Sequence, residues 1–228
     1  MGMLQKIALL VFGLFIACFS QQTGKLPAGV KRLDDGNLQV GDIIVRVSKG
    51  ELAFPARFEL QEGALEVIIA KPNGRLHETL LVTSCSALQI QTLLYLLHAD
   101  NGPRQPAKFE RRGDIVDIDI EWTDDEGKKL REPIESWIID NRTKKPMERI
   151  GWVFVGSNVR NGVFQADSEG NIVINWSSGA TILDSADRES ENDMLHSINT
   201  QQAQPKKHPS VMVVFKPRSK FATNVDNK

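Results

Sequence analysis

The chain has 228 residues, 41% of them hydrophobic and 25% charged, and carries a formal net charge of −1. That is enough chain to bury a substantial core, and one domain is the simplest expectation. The balanced charge excludes a general attraction to nucleic acid, and two cysteines (Cys18 and Cys85) exclude a multi-cysteine zinc or iron–sulfur site.

The N-terminus reads as an export signal. "MGMLQK" carries one basic residue, "IALLVFGLFIACF" is a continuous apolar run and "SQQTGK" is polar. The run is short for a membrane span and right for a secretory core segment, so residues 1–20 are expected to be removed. Cleavage after Ser20 places the small Cys18 and Ser20 where a signal peptidase needs them. "FIAC" alternatively resembles a bacterial lipobox, which would lipidate Cys18, although Phe15 stands where leucine is usual. Ordinary cleavage leaves Cys85 as the only thiol, expected to be a buried small hydrophobe.

Residues 21–41 are punctuated by Gly, Pro and charge and read as a linker into a first strand near "DIIVRV". Strand signals then dominate: "ARFEL", "ALEVIIAK", "RLHETLLV", "DIVDIDIEW", "SWIID", "GWVFVG", "VFQAD", "NIVINW" and "VMVVFK". One helix interrupts them at about 87–99. Ser86 and Gln89 form a capping box, Ile90, Leu93, Leu94 and Leu97 recur at helical spacing, and "DNGP" should stop it, with His98 in the last turn. Residues 184–210 are polar and aperiodic and read as a surface excursion that leaves His196 and His208 in solvent. Residues 218–228 read as a disordered tail. One helix on a large, mostly antiparallel sheet over residues 42–217 predicts an α+β domain.

Asn73-Gly74 between two β-like runs predicts a two-residue hairpin, because both central residues of a type I′ turn need positive φ. In that register His77 lies opposite Ala70, and Glu78 falls on the apolar face with Leu65, Val67, Ile69, Leu80 and Val82. The two side chains then point to opposite faces unless a bulge re-aims one, which weakens an acid–base pair. Leu81, where a zincin has its second histidine, and the strand context exclude that metal motif. Glu78 needs a partner, and the preferred reading has it bonding backbone N–H groups at the start of the helix. His77 is expected to meet water. The two remain the candidate acid–base residues of an alternative, enzymatic reading.

"DIDIEWTDDEG" is acidic enough to suggest divalent-cation binding through Asp117, Asp119 and Asp124, but Trp122 stands where a calcium loop needs glycine. A solvated acidic strand face is the simpler reading. Trp122, Trp137, Trp152 and Trp176 are expected to be core anchors on strands. No phosphate-loop, nucleophile-elbow or C-x-x-C motif occurs, so no cofactor is expected.

"HETLLVT" before the leucine-rich helix, "EWTDDEGK" after an alternating strand, and "SWIIDNRTKKPM" leading to "WVFVGS" together resemble the YdjY-like domain of exported bacterial proteins. The likeness covers roughly residues 50–217. It departs at Thr79, where serine is expected, and in the long polar segment 184–210. The resemblance implies an extracytoplasmic domain with no agreed reaction, and marks His77, Glu78 and the strand from Trp152 to Ser157 without assigning roles. The resulting expectation is a non-catalytic binding or scaffold protein of the bacterial envelope, periplasmic or lipid-anchored. Its partner would be an envelope protein or small ligand, with no nucleic acid and no membrane contact beyond the anchor.

Overall fold

The computed structural model describes residues 26–102, 113–175, 179–202, 204 and 210–218. Residues 1–20, expected as an export signal and including Cys18, lie outside the described residues, as do Trp176, His208 and the tail from residue 219. The strands in chain order are β1 (Val30–Arg32), β2 (Leu38–Val40), β3 (Ile43–Arg46), β4 (Glu51–Phe58), β5 (Val67–Ala70), β6 (Thr79–Val82), β7 (Ile115–Thr123), β8 (Lys129–Pro133) and β9 (Ile138–Asp140). They continue as β10 (Lys145–Pro146), β11 (Trp152–Phe154), β12 (Val159–Arg160), β13 (Val163–Phe164), β14 (Asn171–Ile174), β15 (Leu183–Ser185), β16 (His196–Ile198) and β17 (Ser210–Pro217). Helix α1 is Ala87–Leu96, and α2 (Gln165–Glu169) is a little over one turn.

The expected α+β class is corrected by this architecture: the chain is mostly β, with 41% strand against 14% helix, and eight strands close into a barrel. Around the barrel run β4, β17, β7, β11, β15, β14, β5 and β6, and β6 returns to β4. Closure comes from the C-terminal end of β4. Its residues 52–57 pair with β17, while Arg57 and Phe58 also pair with Val82 and Leu81 of β6. Alternating apolar residues are what any one-sided sheet requires, so the pattern that marks the strands is silent on whether they form an open sheet or a ring.

The inward set is apolar: Leu52, Phe54 and Phe58 of β4, Val116, Ile118 and Ile120 of β7, Val213 and Phe215 of β17, and Trp152 and Phe154 of β11 all belong to one core. Phe54 and Phe215 meet edge to face at 5.0 Å, and full burial of such a ring stabilises by about 2–3 kcal/mol. The stretch expected as a linker carries β1 and β2, which extend the sheet past β3. Residues 184–210, expected as a surface excursion, supply β15 to the barrel and β16 to a small sheet of order β10-β9-β16.

Helix α1 begins as the sequence indicates, with Ser86 accepting from Gln89 N at 3.4 Å. It ends sooner. His98 N donates to Tyr95 O and Ala99 N to Leu94 O, each at 3.0 Å, which is a Schellman motif with His98 in the left-handed position at φ 63°. His98 is therefore outside the last turn, at a position that favours glycine. His98→Gly should raise stability by about 0.5–1 kcal/mol, readable as a higher urea midpoint at unchanged slope.

The Asn73-Gly74 hairpin does not form. Neither residue has positive φ, and β5 and β6 pair in parallel, with Val67 opposite Thr79 and Ile69 opposite Leu81. Residues 71–78 carry the chain back along the strand and end in a 3-10 turn, Leu76–Glu78. The glycine is needed for another reason: a Cβ at Gly74 would lie 2.7 Å from Gly170 O at the end of α2. Asn73 Nδ2 meanwhile donates to the carbonyls of Asp167 and Ser168 at 3.1 and 3.0 Å. The two-residue type I′ turn occurs instead at Asn161-Gly162, both with positive φ, joining β12 to β13.

Candidate functional site

The 3-10 turn places His77 and Glu78 together, in contrast to the opposite faces a strand would impose. His77 Nε2 lies 3.8 Å from Glu78 Oε2, with the imidazole 80% exposed and the carboxylate 14% exposed. Glu78 is paired with Arg75 at 2.8 Å, and Arg75 also reaches Glu66 at 2.9 Å. The carboxylate thus lies among charged groups at the end of β5 and β6, away from the apolar face the hairpin register assigned to it. What this cluster holds is a solvent-facing imidazole beside an arginine-neutralised acid.

The helix-start role expected of Glu78 belongs to Asp167. From α2, Asp167 Oδ1 accepts from Ala87 N at 2.9 Å and Oδ2 from Leu88 N at 3.0 Å. Ser86 Oγ donates to the same carboxylate at 3.1 Å, and Lys71 Nζ pairs with it. Burial opposes ionisation of Asp167, but Lys71 and the two helix N–H groups outweigh it and hold the carboxyl below its usual range. Asp167→Ala should cost about 2 kcal/mol by removing two terminal N–H acceptors and the Lys71 partner. Glu78→Gln should cost less than half of that; equal losses in urea unfolding would return the capping role to Glu78.

The acidic strand is engaged by arginine. On β7, Asp117, Asp119 and Glu121 alternate with the core residues and face outward, where four guanidiniums meet them. Arg131 Nε donates to Asp119 Oδ2 at 2.7 Å, and its other nitrogens reach Glu51 at 3.1 Å and Glu121 at 3.2 Å. Arg46 joins Glu121 at 2.6 Å and Glu51 at 3.3 Å. Arg149 contacts Asp119 at 2.6 Å, and Arg218 contacts Asp117 at 2.8 Å. Burial opposes ionisation of Glu51, yet Arg131 and Arg46 hold its carboxyl low, and the Arg46 bond does the same for Glu121. This corrects the solvated acidic face, since Asp119 and Glu51 are buried.

Asp124 is separate from that belt. Its Oδ1 accepts from Glu126 N and Lys128 N at 3.0 and 2.8 Å, closing the turn between β7 and β8. Asp117, Asp119 and Asp124 therefore do not converge, and among the described residues no three His, Cys, Asp or Glu side chains are placed to hold a metal ion.

Glu135 and His196 are buried ionisable groups whose burial the sequence analysis did not anticipate. Glu135, in the 3-10 turn Ile134–Trp137, is 2% exposed and accepts from Trp152 Nε1 at 3.1 Å. Burial raises its carboxyl to about 7, against the pull of nearby Arg149. Nothing in "PIESW" distinguishes this glutamate from an exposed one. His196, expected in solvent, is fully buried on β16 opposite Asp140 of β9. The apolar Leu195 and Ile198 around it are the signal that would have marked a strand. Arg142 bridges Asp140 at 2.8 Å, Glu189 at 2.9 Å and Asp187, holding the turn after β15 against β9.

Cys85 is buried, and burial raises its thiol above the ordinary range, so it is an inert packing residue as expected. Trp137 and Trp152 are core anchors, although Trp137 sits in a 3-10 turn instead of a strand. Among the described residues no helix is long and apolar enough to cross a membrane. Comparison with known proteins returned no matching family model, curated relative or solved structure.

Proposed function

We propose that this chain is an exported bacterial envelope protein whose β-barrel serves as a non-catalytic binding or scaffold domain for an envelope protein or small ligand. The observation that carries this reading is where the charged side chains go. Asp117, Asp119, Glu121 and Glu51 are bound by arginines from four other segments, and Glu78 is bound by Arg75. Groups engaged in this way brace strands and turns and lack the free valence of a general acid or base. The leader-like residues 1–20 support export, and the YdjY-like motifs support an extracytoplasmic role.

A second reading has one observation in its favour. The 3.8 Å approach of His77 to Glu78 leaves an accessible imidazole beside a carboxylate, an arrangement that would serve proton transfer if Arg75 moved aside. Chromogenic ester, phosphate, glycoside and peptide substrates distinguish the two. Turnover abolished by both His77→Ala and Glu78→Gln would overturn the binding reading; no turnover in the parent chain is the expected result. Export is tested separately by the intact mass of protein recovered from a bacterial host. A chain beginning at Gln21, or lipid-modified at Cys18, is expected, and an uncleaved cytoplasmic chain would overturn export.

A further inference from the structure

Among the described residues, the joint between the small sheet and the barrel holds the one histidine that water does not reach. On one edge β16 pairs with β9. On the other, Leu65 N donates to His196 O at 3.1 Å and Ile198 N to Gly63 O at 2.9 Å, tying β16 to the segment that enters barrel strand β5. His196 has no exposed surface, and neither ring nitrogen has a hydrogen-bond partner. A neutral ring tolerates such a site at modest cost, whereas an imidazolium brings a charge and two N–H donors that need acceptors.

The charged groups around the ring are few. Asp140 on β9 and Asp187 on the turn after β15 favour its protonation, and Arg142 on the turn after β9 opposes it, with burial the dominant influence holding the imidazole neutral. The Gly63–Leu65 edge contributes no ionisable side chain. Both acids are already engaged by Arg142, whose remaining contact is Glu189. A proton on His196 would therefore draw on carboxylates that the Arg142 clamp already uses.

We propose that this joint is an acid-sensitive latch, in which protonation of His196 draws Asp140 and Asp187 away from Arg142 and releases residues 186–195 from β9 while the barrel stays closed. The charged ring and the guanidinium would share the same two carboxylates, which weakens the hold of the clamp on each. Asn141, which donates to Met194 O at 2.8 Å, and Ser197, which donates to Asn141 Oδ1 at 2.9 Å, are the neutral contacts that would limit the opening.

Hydrogen exchange of the full chain at pH 7 and pH 5, corrected for intrinsic exchange rates, tests the latch. Peptides covering 186–199 should lose protection at least tenfold at pH 5 while those of β4, β7 and β17 do not, and His196→Phe should abolish the loss. Unchanged protection in the parent chain, or the same loss in His196→Phe, would overturn the proposal. If the phenylalanine variant does not fold, NMR titration of the histidine Cε1–H signals decides. A His196 midpoint that coincides with the local loss of protection supports the latch; a His196 ring that takes up its proton while 186–199 stays protected refutes it.

Discussion

Glu135→Gln is expected to shift stability in the variant's favour by about 3 kcal/mol between pH 4.5 and pH 8, on the scale of 1.36 kcal/mol per tenfold change in proton affinity. The sign follows from burial. The folded carboxyl titrates near 7, above its ordinary 4.5, so the folded state binds the proton more tightly than the unfolded state. The stability that proton confers is complete below 4.5 and is lost as pH rises through about 7. A glutamine has no such loss and still offers Trp152 Nε1 an acceptor in place of Glu135 Oε1. Its amide N–H groups would be poorly satisfied, because Glu135 Oε2 is buried without a partner, but that cost does not vary with pH. The check is the pH dependence of the difference in unfolding free energy, parent against variant. A difference that stays flat from pH 4.5 to pH 8 would mean the carboxyl reaches water.

Arg131→Ala should be the most destabilising of the charge substitutions, by about 2–4 kcal/mol, since removing one partner of a buried pair leaves the other charge uncompensated. Arg131 joins three carboxylates across β4, β7 and β8, and Glu51 among them is only 3% exposed. Arg46 at 3.3 Å and Lys216 at 3.9 Å remain near Glu51, which keeps the loss below that of a wholly orphaned carboxylate. Arg131→Lys should fall between, because an ammonium cannot reproduce the fork that reaches three acceptors. Adding Glu51→Gln to Arg131→Ala should recover part of the loss, and chemical denaturation of the four proteins measures the coupling. A loss under about 0.5 kcal/mol for Arg131→Ala would make the belt an ordinary solvated set of ion pairs.

The acid limb of stability belongs to these carboxylates. The bonds from Arg46 to Glu121 and from Arg142 to Asp140 lower those two carboxyls, and Arg131 and Lys71 do the same, against burial, for Glu51 and Asp167. A depressed folded value means stability that is present above the ordinary carboxylate range and lost as pH falls through the folded value. Acid unfolding should therefore begin below about pH 4, where these pairs dissolve.

The same dipeptide shows how far the sequence reaches. Asn-Gly occurs between strand-like runs at 73–74 and 161–162, and only the second makes the type I′ hairpin. At 161–162 the flanking residues are exposed and the local preference prevails. At 73–74 the close packing of Gly74 on Gly170 and the parallel pairing of β5 with β6 prevail. The misassigned register carried Glu78 to the wrong face, and with it the helix-start role that Asp167 performs from a position 80 residues beyond Ala87.

Local rules were sufficient wherever the determining contacts are near in sequence. The alternation along β7 and β17, the Ser86 cap, and the buried, unreactive Cys85 follow from side-chain periodicity and from hydrogen bonds within one or two turns. Four things depend on distant residues: closure of β6 onto β4, the arginines on Asp117 and Asp119, the burial of Glu135, and the seat of His196 between β9 and the strand that enters the barrel. Each is decided by which surfaces the folded chain brings together, because whether a charged side chain meets water or another charge is a property of its neighbours in space.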